Sequence, residues 1–139
     1  MRKYLILFTL LLSVSSSAQM TLEWTLFTGT GYDIDEDGTF INPEYPEALK
    51  AWDGKEVLII GYIVPVDVQL KTYVLSQFPL QQCFFCGNAG PETVIQLFFD
   101  SSPPHLLTDQ YVILKGKLVL GQAKPGSFFF TLYNTELAG

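Results

Sequence analysis

The stretch Glu56-Val57-Leu58-Ile59-Ile60-Gly61-Tyr62-Ile63-Val64-Pro65-Val66 carries the architecture of this chain. Its β-branched, unbroken apolar character reads as one long strand, and Gly61 stands where such a strand bends to serve two parts of a curved sheet. Pro65 has no N–H to give to a ladder, so pairing is expected to fail there. Further along, Thr72 to Ser76, Thr93 to Phe99, Tyr111 to Leu120 and Phe128 to Tyr133 read as four more strands. Turn chemistry separates them: Asp67 to Leu70, a long insertion from Gln77 to Glu92, the connector Ser101-Ser102-Pro103-Pro104, and Gly121 to Gly126. Five strands in about 80 residues, the first long and bent at a glycine, predict a mainly β chain. The expected architecture is a small five- to six-stranded antiparallel OB-like barrel with one short N-terminal helix. A short jelly-roll-like sandwich is the competing one.

Upstream of the strands, in a barrel domain taken as residues 46–139, Pro46 to Trp52 reads as the short helix, with proline in its first turn and Leu49 and Trp52 sharing a face. Residues 19–45 hold an N-terminal strand and an acidic loop. Thr21 to Phe27 would put Leu22, Trp24 and Leu26 on one side of an extended chain, and the polar run from Thr28 to Asn42 lacks apolar periodicity. Residues 1–18 have the pattern of a signal peptide: basic Arg2 and Lys3, an apolar stretch from Leu5 to Leu12, and the small residues Ser16-Ser17-Ala18. The expected location is therefore exported, periplasmic or secreted. The apolar run is too short for a permanent span, so the cleaved chain is not expected to be membrane-embedded. No Cys follows Ala18, so cleavage there leaves no lipid-anchored cysteine.

With 48% hydrophobic and 16% charged residues over 139 positions, the chain has the apolar content for one packed domain and not for disorder. Setting the leader aside leaves 14 acidic side chains against six lysines and no arginine, a net charge of about −8. Nucleic-acid binding needs clustered cations that displace counterions from phosphates, and the scattered lysines do not supply them. Anionic membrane surfaces are set aside on the same ground.

The sharpest local feature is Gln81-Gln82-Cys83-Phe84-Phe85-Cys86-Gly87-Asn88-Ala89-Gly90-Pro91-Glu92. A Cys-x-x-Cys pair serves as a redox centre, as half of a tetrahedral metal site, or as a short structural disulfide. Redox catalysis wants a thiolate stabilised by a helix N-terminus and nearby cations. Here Gly87, Gly90 and Pro91 disfavour a helix after the pair, and no Lys, Arg or His lies within ten residues of either cysteine. Haem attachment would need His at position 87, which is Gly. A zinc site would take Cys83 and Cys86 as two of four ligands. The single histidine, His105, is a weak third: seven strand residues separate it from the cysteines by roughly 23 Å unless the connector folds back. Asn88, Glu92, an acid of the N-terminal loop or a second chain would complete the site. As a disulfide in an exported protein the four-residue loop would contribute only about 2 kcal/mol, pinning a loop rather than holding the fold. Phe84 and Phe85 are expected to pack against the barrel end.

A second constellation, Asp33-Ile34-Asp35-Glu36-Asp37-Gly38 and then Thr39 to Glu44, matches the calcium-loop pattern D-x-D-x-D-G-x5-E. Asp33, Asp35 and Asp37 would give carboxylate oxygens, Thr39 a carbonyl and Glu44 a bidentate carboxylate. Gly29 and Gly31 stand where an EF-hand has its first helix, and Pro43 and Pro46 disturb the exit, so an isolated calcium loop competes with a solvated acidic turn. No catalytic triad, glycosidase carboxylate pair or phosphate-cradling glycine loop can be assembled from the remaining residues. Phe128-Phe129-Phe130 reads as a strand whose inward members join the core.

Gly54-Lys55-Glu56-Val57, Gly61-Tyr62-Ile63-Val64-Pro65, Ser76-Gln77-Phe78-Pro79 and the Cys83 to Glu92 string together resemble an uncharacterised family of small exported bacterial proteins. The likeness covers roughly residues 43–137, and Cys-Phe-Phe-Cys-Gly-x-Ala-Gly-Pro-Glu is its most specific part. More distantly the chain is similar to periplasmic domains in which a Cys-containing loop comes after a Gly-Tyr-x-x-Pro strand. Some of those are encoded beside metal or lipoprotein transporters, so the resemblance implies an accessory or metal-handling role carried by Cys83 and Cys86. The expectation is an exported, non-enzymatic binding or accessory module whose Cys-x-x-Cys loop binds a transition metal, zinc first, or docks a transport partner. A thiol-disulfide protein using the same pair, and a calcium-stabilised structural domain, are the alternatives.

Overall fold

The computed structural model describes residues 20–139, and the expected signal peptide, residues 1–18, lies outside the described residues. Eight strands and two short helices run in the order β1 (Thr21–Leu22), α1 (Trp24–Thr28), β2 (Gly31–Ile34), β3 (Phe40–Glu44), α2 (Glu47–Lys50), β4 (Glu56–Asp67), β5 (Thr72–Ser76), β6 (Val94–Phe99), β7 (Tyr111–Leu120) and β8 (Phe130–Leu137). Strands β4, β5, β6, β8 and β7 pair in that order, and β7 returns to β4 to close a five-stranded barrel; β1 adds a sixth strand beside β4. The OB-like barrel is thus the fold. It is not wholly antiparallel, because β6 and β8 run parallel through Gln96↔Thr131 and Leu97↔Leu132, as does the accessory strand β1 against β4.

The long strand closes the barrel by serving different neighbours along its length. Its first half, Glu56 to Tyr62, pairs with β7, and its second half, Tyr62 to Asp67, pairs with β5. The hand-over falls beside Gly61, where a Cβ would stand 2.7 Å from the Ser76 carbonyl oxygen and 3.0 Å from Leu75 Cγ. Only glycine admits so close an approach of two strands. Gly116 has the same role on β7, with a Cβ position 2.6 Å from Leu132 Cγ and 2.8 Å from the Tyr133 carbonyl.

Pro65 is tolerated inside the ladder, opposite Tyr73, and the register slips only after it. Ile63 directs its N–H to the Gln110 carbonyl (2.9 Å), and its carbonyl receives the Asp109 N–H (2.8 Å), on the side away from β5. By the two-residue period of a strand, the Pro65 nitrogen faces that same side, beyond the end of β7, where no ladder bond is lost.

Inside the barrel, Val57, Ile59 and Ile63 of β4 meet Tyr73, Leu75, Ile95, Leu97, Leu114, Leu118 and Leu132 in one continuous core. The N-terminal segment contributes Leu22, Phe27 and Leu49 to it. The expected accessory strand over residues 21–27 is therefore only two residues long. From Trp24 the chain turns helical, which buries Phe27 edge-on against Phe130 at 5.0 Å and lets Trp24 donate its indole N–H to the Ile60 carbonyl at 2.8 Å. The connector after β6 also enters the core through Leu106. Among the described residues no helix is long and apolar enough to cross a membrane.

Candidate functional site

The insertion between β5 and β6 folds back over the outer wall of the barrel rather than over its end. Its base is closed by the Gln77 N–H to the Thr93 carbonyl at 3.0 Å. It contains three single turns of 3-10 helix, at Leu80–Gln82, Phe84–Cys86 and Pro91–Thr93. The Cys83 carbonyl receives the Cys86 N–H (3.2 Å), and the Gly87 N–H closes on the Phe84 carbonyl (2.9 Å) in a left-handed cap at φ 74° that suits glycine. The Asn88 side-chain amide donates to the Gln81 carbonyl at 2.7 Å, and the Cys86 thiol lies 3.0 Å from the Leu80 carbonyl. From outside the loop, the Asp109 carboxylate accepts the Leu80 N–H at 2.7 Å.

The two cysteines, both free thiols, have opposite surroundings. Cys83 is 0% exposed and packs with Val64, Val74 and Val94, beneath Leu80, Phe84 and Phe128. Those three valines lie on the outer face of β4, β5 and β6, opposite in pleat to the core residues Ile63, Tyr73, Leu75 and Ile95. The loop thus turns a wall with one wet face into a wall buried on both. Cys86 is exposed on the same turn. The segment after Cys83 is a single 3-10 turn, too short to present a helix N-terminus to the thiol.

Above this buried patch a train of aromatic rings joins the loop to two other parts of the chain. Tyr32 meets Phe40 at 5.4 Å, Phe40 meets Phe84 at 5.5 Å, Phe84 meets Phe85 at 5.4 Å, and Phe85 meets Phe128 at 6.2 Å. Phe40, Phe84, Phe85 and Phe128, with Val66 and Val94, line a cavity of about 280 Å³. Phe85 remains 44% exposed. Sequence reasoning missed Phe40 and Phe128 as site residues and Val64, Val74 and Val94 as its floor. The signal was present in the consecutive apolar residues Tyr73-Val74-Leu75 and Val94-Ile95, since a run without alternation marks a strand covered on both faces. Phe129 and Phe130 are both fully buried, because Phe129 precedes the strand and packs under Tyr32 at 5.7 Å.

The segment matching the calcium pattern forms a β-hairpin of β2 and β3 rather than a plain loop. The Asp35 carboxylate is occupied by backbone: it accepts the N–H groups of Asp37 (3.0 Å) and Thr39 (2.8 Å). The Thr39 carbonyl takes the Asp35 N–H at 3.0 Å, and Asp33 takes the Asn42 side-chain amide at 3.1 Å. Glu44 lies opposite Gly31 in that ladder, and Asp33 lies opposite Ile41 across an irregularity in register. His105 is exposed in the connector. That connector does fold back, bringing Asp109 to Leu80, yet His105 does not join the cysteines. Among the described residues no three of His, Cys, Asp and Glu stand together as a metal-ligand group. Glu92 keeps one buried carboxylate oxygen without a hydrogen-bond partner among the described residues. Burial, and secondarily the Glu92 charge, pushes the Tyr32 phenol above its ordinary range.

Comparison of the chain with family models, with curated proteins and with solved structures finds no match.

Proposed function

We propose that the protein is a non-enzymatic binding module that docks a partner protein through the Cys83 to Glu92 loop, with an apolar side chain of the partner seated in the cavity. The observation that carries this reading is the cavity itself: a cleft of about 280 Å³, walled by aromatic rings, in which Phe85 is still 44% exposed. An aromatic anchor site of this kind is the usual centre of a binding surface. The neighbouring hairpin, whose Phe40 lines the cavity, carries Asp33, Asp35, Glu36 and Asp37, none of them in an ion pair among the described residues. The partner segment is accordingly apolar at its centre and basic at its rim. An exported location and a partner in a transport system belong to the same reading.

The test attaches a photo-crosslinker to the exposed Cys86 thiol in the native host. A discrete adduct with one protein, lost in Phe85→Asp and weakened by salt, is the expected result. No adduct, or one indifferent to Phe85→Asp, sinks the proposal.

Zinc is a second reading, carried by the two free thiols three positions apart, and it requires the loop to lift from the wall so that the buried Cys83 reaches the metal together with Cys86. The remaining donors would come from a second molecule, since no third ligand group stands beside the pair among the described residues. Metal analysis of the reduced complex, with and without Cys86→Ser, decides it.

A further inference from the structure

On the far side of Phe128 the outer wall of the barrel carries a second cleft of about 380 Å³, floored by β6, β8 and β7 and bounded by the loop between β7 and β8. Cross-strand register puts Gln96 directly opposite Thr131, and Thr131 opposite Val119. One step along the same face stand Phe98 and Tyr133, 44% and 43% exposed, their rings parallel within 10° and 5.3 Å apart. The side chains of Gln96 and Thr131 make no hydrogen bond with any described residue, which leaves the half-buried Gln96 amide for a ligand, with the Thr131 hydroxyl, on a residue 9% exposed, at the floor of the cleft. Among the described residues no charged side chain lines the cleft, in a chain whose acids outnumber its bases by 14 to 8.

We propose that this cleft is a binding site for a neutral carbohydrate. Open aromatic surface suits the apolar C–H face of a pyranose ring, and an amide beside a hydroxyl offers both donors and acceptors to its hydroxyl groups. The lack of charge disfavours uronic acids, sulfated sugars and nucleotides alike. All three floor strands are already paired on either side, so an extended peptide cannot add to the sheet here. The volume falls within the ordinary range for small-ligand clefts, about 300–1,000 Å³. The site contains no residue of the cysteine loop, and it shares Ser127 and Phe128 with the cavity above that loop.

The full chain is titrated, by calorimetry and by amide chemical shifts, with neutral tetrasaccharides of glucose, xylose, mannose, galactose and N-acetylglucosamine, and with tetragalacturonate as the anionic control. The expected result is binding of at least one neutral sugar with a Kd of about 1 mM or tighter, with shifts confined to Gln96, Phe98, Thr131, Tyr133 and their neighbours. Phe98→Ala and Tyr133→Ala, both at exposed positions, each weaken it by about tenfold, and Gln96→Leu does so while keeping side-chain bulk. The inference is overturned if no neutral sugar binds, if tetragalacturonate binds as well as the best of them, or if binding persists in the Phe98→Ala/Tyr133→Ala double variant. The Phe98→Ala/Tyr133→Ala double variant, which touches no residue lining the docking cavity, keeps the Cys86 crosslink to the partner, which separates this site from the docking loop.

Discussion

Cys83 and Cys86 sit three positions apart and should respond to the same chemistry in opposite ways. Cys83 is fully buried among valines and phenylalanines, so Cys83→Ala removes a sulfur about the size of a methylene group. The transfer loss of about 0.8 kcal/mol, together with the cavity left behind, gives a destabilisation of roughly 1.5 kcal/mol. Cys83→Ser costs more, roughly 2–4 kcal/mol, because its hydroxyl must find a partner on a floor of Val64, Val74 and Val94 or stay unsatisfied. Cys86→Ser leaves a hydroxyl able to donate to the Leu80 carbonyl as the thiol does, and at an exposed position it changes stability by less than about 0.5 kcal/mol. Urea unfolding of the three variants measures these differences directly. Labelling with a chromogenic disulfide reagent tests the same geometry without mutation. Cys86 reacts at once, whereas Cys83 reacts only after the loop lifts from the wall. An opening that costs about 3 kcal/mol, roughly the burial of Cys83 and part of Phe84, slows its labelling about a hundredfold. Equal labelling rates for the two thiols, or a Cys83→Ser variant as stable as Cys86→Ser, would contradict the account of a loop packed on the outer wall.

Other consequences concern the scaffold. Gly61→Ala and Gly116→Ala each force a methyl group against backbone of the neighbouring strand and should destabilise by about 1–3 kcal/mol, read as a fall in the urea midpoint at constant m. Asp35→Ala frees two backbone N–H groups at the hairpin tip and should cost about 1 kcal/mol, with hydrogen exchange faster at Asp37 and Thr39 and unchanged in the barrel. The Tyr45 phenol donates to the Phe129 carbonyl at 2.8 Å, and burial is the main cause that pushes its pKa from 10.0 up to about 12. The fold therefore favours the neutral phenol: that contribution is complete below pH 10, is lost as pH climbs from 10 to 12, and leaves Tyr45→Phe with a flatter alkaline limb in a stability–pH profile.

Much of the architecture is local information. The extent of β5 and β7, the bend at Gly61, the Asp67 turn, whose carboxylate accepts the Leu70 N–H at 2.9 Å, and the short helix after Pro46 all arise from β-branching, glycine, proline and turn residues acting over a few positions. Other elements escaped because their causes lie far away in the chain. Thr21 to Phe27 has strand-like alternation, yet only two residues pair; the rest become helical because the core offers Phe130 to Phe27 and Ile60 to Trp24. The acidic run from Asp33 satisfies a calcium spacing rule, but Tyr32 and Phe40, packed at 5.4 Å, pull its flanks into a hairpin.

A bent, glycine-hinged barrel and a loop bearing two cysteines are legible in the amino-acid order alone, since strand period, turn chemistry and residue spacing are short-range properties. Three-dimensional packing was needed to show that this loop lies on the wall of the barrel, that one thiol is buried while the other is open, and that Phe40 and Phe128 complete a cleft with Phe84 and Phe85. Burial is a property of what a side chain faces across space, and here the facing residues come from a hairpin some forty positions before the cysteines and a strand entrance some forty after them.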